Sequence, residues 1–146
     1  MNNNFYDIPT DWYNEFNNTF NNKDNYMDNS SLFSPKEGFL RGNMFKNLYD
    51  PYKNYKYGEL KPNNNREELL YNLLKYKFAM QEIDLYLDVY PNDMQMINLY
   101  KKYLEEEKKL CQEYEKSFGP LTLDSMNLGD NNWKWISTPW PWEVVK

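Results

Sequence analysis

The sequence predicts an all-α chain: an antiparallel two-helix hairpin with an extended, Trp/Pro-rich C-terminal tail and a largely irregular N-terminal half. Three observations predict it. Apolar residues recur at helical spacing from Leu69 to Tyr90 and again from Met96 to Phe118. Only Pro91-Asn92-Asp93 separates the two runs, a turn so short that the helices must be antiparallel neighbours. Outside these runs the chain is rich in asparagine and aromatic residues and poor in aliphatic ones, a composition that cannot build a large core of its own.

Taken in order, residues 1–31 form an asparagine-rich arm punctuated by Phe5, Tyr6, Trp12, Tyr13, Phe16, Phe20 and Tyr26. Its scarcity of aliphatic residues predicts disorder, because little burial offsets the entropy of ordering. The four-residue spacing of Trp12, Phe16 and Phe20 also allows a short helix that docks on a partner. Residues 32–60 form a docking segment with a short helix of about two turns. Ser34-Pro35-Lys36-Glu37 supplies an N-cap serine, a proline at the first helical position and a glutamate three residues after the cap, and Gly42 supplies the stop. Phe33, Phe39, Leu40, Met44, Phe45, Leu48 and Tyr49 then need a surface elsewhere, and Asp50-Pro51-Tyr52 reads as a turn.

Residues 61–65 are a linker, in which Asn65 doubles as a cap paired with Glu68. The hairpin spans 66–119. Its first helix runs from Arg66 to about Tyr90; the second is capped by Asn92 with Gln95 and is stopped by Gly119-Pro120. In the first helix Leu69, Leu73, Tyr76, Met80, Ile83, Leu87 and Tyr90 form a heptad seam fit for the hairpin partner. A second stripe of Leu70, Leu74, Phe78, Leu85 and Val89 lies well round the same helix. The second helix carries one stripe only. One neighbour covers one face, so the second stripe predicts a further partner.

The tail, residues 120–146, holds Trp133-Lys134-Trp135 and Trp140-Pro141-Trp142. Pro139 and Pro141 favour an extended path on which each tryptophan pair faces one side. Those indoles either cover the second stripe or anchor another subunit. The predicted partner contacts are therefore Phe78, Leu85, Tyr86, Val89, Trp133, Trp135, Trp140 and Trp142, with Phe39, Phe45 and Tyr49 from the docking segment.

Composition excludes several functions. The net charge of −5 disfavours nucleic acid, whose binding relies on a basic surface. The interleaved lysines and aromatics from Tyr52 to Tyr57 read as solvated linker. The chain has no histidine, which removes the usual general base and the commonest transition-metal ligand. Its five glycines form no phosphate loop. No catalytic, cofactor or metal residues are assigned. Glu107 amid the apolar stripe reads as hydrogen-bonded to a tyrosine or reaching solvent, and Glu105–Lys109 as a helical ion pair. Cys111, the lone cysteine, is either a buried small side chain or an intermolecular cross-link. No apolar run approaches the length of about 20 residues that spans a bilayer. Met1-Asn2-Asn3-Asn4 has no signal-peptide pattern, so the chain is expected to stay in the cytoplasm that makes it.

Leu85-Tyr86-Leu87-Asp88, Pro91-Asn92-Asp93, Glu113-Tyr114-Glu115-Lys116, Phe118-Gly119-Pro120-Leu121-Thr122 and the terminal Trp-Pro-Trp together resemble the CotJB family of bacterial spore coat proteins, over about Arg66 to Trp142. Phe33 to Glu37, Arg41-Gly42 and Leu48 to Tyr52 resemble the CotJA family, the usual small companion of CotJB, over about 32–57. The resemblance implies synthesis in the mother cell of an endospore-forming bacterium and deposition in the spore coat. It also implies other coat proteins as partners, especially a CotJC-like manganese-catalase-type protein, and no catalytic residues. Self-association is expected beside these partners, and a tyrosine-rich substrate or regulator of oxidative cross-linking and a carboxylate metal-binding helical protein are the competing readings.

Overall fold

The computed structural model describes residues 31–47, 53–54, 56–125 and 133–136. Among these, three α-helices follow in order: α1 (Pro35–Arg41), α2 (Asn65–Val89) and α3 (Met94–Phe118), then a single 3₁₀ turn at Lys134–Ile136. The arm 1–30, Tyr49, the Asp50-Pro51-Tyr52 turn, Trp140 and Trp142 lie outside the described residues.

α1 forms as the sequence predicts. Ser34 adopts extended backbone, and its hydroxyl accepts the Glu37 amide at 3.2 Å. Pro35 needs no amide partner there. Gly42 ends the helix at φ 72°, a left-handed conformation that glycine adopts without a Cβ clash. The flanking residues close a loop around α1: Leu32 bridges Phe45, the Phe33 amide donates to the Met44 carbonyl at 2.8 Å, and the Lys46 amide to that of Ser31 at 2.9 Å. The side chain of Asn43 bonds both backbone groups of Phe45. Residues 31–47 are thus a clasp, a short helix held in a closed loop.

α2 and α3 have 25 residues each, about 37 Å at about 1.5 Å per residue. They pack along their length and run antiparallel. Arg66 near the start of α2 donates to the Tyr114 hydroxyl near the end of α3, Tyr76 and Tyr103 meet at mid-length, and Tyr86 reaches Asp93 at the turn. Both caps differ from the predicted ones by one residue. At α2 the cap is Asn64, accepting the Glu67 amide at 2.8 Å, while the Glu67 carboxylate turns back to the Asn63 amide at 2.7 Å. At α3 the cap is Asp93, not Asn92, accepting the Gln95 and Met96 amides. Burial decides this second case. Asp93 is almost fully enclosed and also accepts the Tyr86 hydroxyl, so a carboxylate there satisfies three donors at once.

The core sits where α2 is covered from two sides. Leu32, Met44 and Phe45 of the clasp, Ala79, Ile83 and Tyr86 of α2, and Met96 of α3 form one buried cluster. Ala79 stands between the predicted seam and the second stripe, and its small side chain lets both neighbours approach. Farther along, Leu69, Leu73 and Tyr114 are buried at the other end of the hairpin. Phe39, Met44 and Phe45, which needed a surface, find it on α2 of their own chain.

Past α3, Gly119 turns the backbone at φ 99° and Pro120 is buried. The buried Glu115 carboxylate accepts the Leu121 amide at 3.1 Å and the Ser125 hydroxyl at 2.7 Å, which ties this turn to the helix end. The expected extended path through Trp133 and Trp135 is corrected. The Ile136 amide bonds the Trp133 carbonyl, curling residues 134–136 into a turn, so strict side-to-side alternation does not hold there.

Candidate interaction face on the second helix

The second stripe of α2 divides into a covered part and an open part. Phe39 of the clasp meets Tyr71 and Phe78 edge-on, with centroids 5.8 and 5.9 Å away. Phe45 lies over Tyr86 at 5.6 Å, and Tyr86 over Tyr90 at 4.8 Å. The Met44 amide donates to Glu82 at 3.3 Å and so pins the clasp directly to α2. Beyond the clasp edge, Leu74 is 41 % exposed and Leu85 55 %. Leu74, Phe78 and Leu85 follow at steps of four and seven residues, so they lie in one line along the helix.

The predicted contact residues therefore separate. Phe39 and Phe78 are half-buried against each other, and Leu85 is open. Val89 is half-buried. Phe45 and Tyr86 are buried in the chain's own core, where the Tyr86 hydroxyl holds the hairpin turn. Trp133 is exposed and Trp135 half-buried. Leu74 belongs with Leu85. Its place in the second stripe was the signal, but periodicity alone cannot say which part of a stripe a neighbouring segment leaves open.

Polar groups nearby do structural work. Glu107 forms a cross-helix ion pair with Lys77 at 3.2 Å, correcting the expectation of a tyrosine partner or solvent. Lys109 pairs with Glu106 at 2.7 Å rather than with Glu105, the shorter three-residue step placing them side by side. Burial pushes the Tyr103 hydroxyl and the Cys111 thiol up, and Glu115 and Glu107 add to the effect at Cys111. Cys111 is a free, half-buried thiol held protonated at neutral pH. The Tyr71 hydroxyl is buried with no hydrogen-bond partner among the described residues.

Among the described residues no group of three or more His, Cys, Asp or Glu side chains could hold a metal ion. No described helix is long and apolar enough to cross a membrane. What this geometry offers is packing: a helical hairpin, a clasp on one flank of its first helix, and an apolar line left beside the clasp. The profile of the CotJB protein family matches residues 67–143, and the chain belongs to that family. The match covers nearly all of α2, all of α3 and most of the tail, and leaves the clasp outside. No curated protein and no solved structure matches the chain.

Proposed function

We propose that this protein is a structural assembly component of the bacterial endospore coat, binding other coat proteins through the open flank of α2. One observation carries the reading. Leu74 and Leu85 stay exposed on a helix whose other apolar side chains are buried or half-buried. Leucines in line beside aromatic side chains make a surface whose burial is worth more against protein than against water. Family membership supplies the coat setting. Within it, a CotJC-like manganese-catalase-type protein is the proposed partner, and Trp133, Trp140 and Trp142 are proposed to extend the contact.

The clasp takes a further part in this proposal. Residues 32–57 resemble CotJA, so the chain would carry a companion segment in covalent form, seated on α2 by Phe39, Met44 and Phe45. The test is co-expression of the full chain with the catalase-type companion. Leu74→Glu with Leu85→Glu is expected to abolish co-purification while the helical circular dichroism is unchanged. Undiminished co-purification would remove this flank from the partner interface. Phe78→Glu is the poorer probe, because it also unseats Phe39.

A further inference from the structure

The clasp is held to α2 differently from α3. Its backbone closes on itself, through the Phe33 amide on the Met44 carbonyl and the Lys46 amide on the Ser31 carbonyl. Asn43 fastens Phe45, and Arg41 pairs with Glu37 at 3.2 Å. Toward α2 it turns side chains: Phe39 to Tyr71 and Phe78, Phe45 to Tyr86, and the fully enclosed Met44, whose amide meets Glu82. The connector that follows is exposed and without regular structure over residues 56–62, and its Tyr57 ring lies under the Arg41 guanidinium of the clasp at 5.0 Å. A loop that satisfies its own backbone and is joined by an exposed connector has the anatomy of a tethered ligand. The family match, which begins at residue 67, separates the same two parts in sequence.

We propose that the covered flank of α2, from Tyr71 to Tyr86, is a docking site for closed-loop peptide segments of the clasp's kind, with the clasp as its tethered occupant. The site reads three features. A phenylalanine on a short helix meets the Tyr71 and Phe78 rings edge-on. A methionine after the turn packs against Gly38, where a Cβ would collide with it, and its amide donates to Glu82. The next phenylalanine lies on Tyr86. A loop already closed loses little further freedom on docking. The tether keeps it at an effective concentration on the order of millimolar, so the seat stays filled in the intact chain. With the tether cut, the seat becomes a bimolecular site open to the same segment from another chain. The inference goes beyond the proposed function, because it concerns the covered flank of α2; its failure leaves the reading of the Leu74 and Leu85 flank standing.

The test uses the full-length protein with a protease recognition sequence inserted after the exposed Gly58, cut only after folding. Heavy-isotope and unlabelled batches, both cut, are mixed and read by native mass spectrometry. The two pieces are expected to stay together at micromolar concentration, to part on dilution, and to give hybrids of one heavy and one light piece on mixing. Glu82→Ala removes the acceptor of the Met44 amide from a helix that tolerates alanine, and should weaken the association about tenfold. Phe39→Ala, which acts from the clasp side, should weaken it as well. Pieces that separate on cutting and do not rejoin overturn the inference. Pieces that hold together without ever exchanging overturn it too, since they mark a permanent core. An exchange indifferent to both variants takes the site off this flank and has the same effect.

Discussion

α2 and α3 have the same length and opposite designs. α3 is amphipathic, with one apolar stripe against α2 and lysines and glutamates outward. α2 carries apolar residues on two sides and meets neighbours on both, α3 on one and the clasp on the other. The difference shows where organisation resides in this small fold. A one-sided helix needs one partner and then presents a solvated surface. A two-sided helix collects segments, and whatever they fail to cover stays exposed.

The largest test of this contrast is Ile83→Ala. Ile83 is fully enclosed between α3 and the clasp, so its truncation leaves a cavity that neither neighbour fills, with an expected loss of about 2–4 kcal/mol in urea unfolding. Asp93→Ala comes next. It removes the α3 cap and the carboxylate that accepts the Tyr86 hydroxyl, for about 2 kcal/mol by the same measurement. Gly38→Ala sharpens the comparison because it strikes one neighbour of α2 only. A Cβ there runs into the Met44 side chain, so the clasp must shift. Hydrogen exchange should speed up at the Phe33 and Met44 amides while α3 keeps its protection, at a cost of about 1–2 kcal/mol. The smallest change has the opposite sign. Tyr71→Phe deletes a buried hydroxyl without a partner and should stabilise the fold by up to about 1 kcal/mol.

Local features were legible in the sequence and long-range ones were not. Ser34, Pro35 and Gly42 bound α1 through chemistry confined to nine residues, and the two long helices follow from apolar spacing and a turn. The caps slipped by one where several residues could serve. Asn63, Asn64 and Asn65 all cap well, and Glu67 and Glu68 both stand ready to answer, so only the backbone path chooses. At the turn the choice between Asn92 and Asp93 depends on Tyr86, a residue on the other helix. Which segment would cover the second stripe was equally hidden. Phe39, Met44 and Phe45 lie 32 to 41 residues from their seats on α2, from Phe39–Tyr71 to Phe45–Tyr86, and no periodicity encodes such a pairing. Tyr86 illustrates the result: its position pointed outward until the clasp arrived to enclose it.

That separation also sets an order of events during synthesis. Met44 leaves the ribosome ahead of Glu82 by about two to eight seconds at about 5–20 residues per second. Through that interval Leu32, Phe39, Met44 and Phe45 are already in the cell without the helix that shelters them. α2 and α3, adjacent in sequence, can close on each other as soon as both emerge, because short loops close fastest. The clasp is therefore made first, and its apolar side chains stay unsheltered until the helix on which they seat has followed.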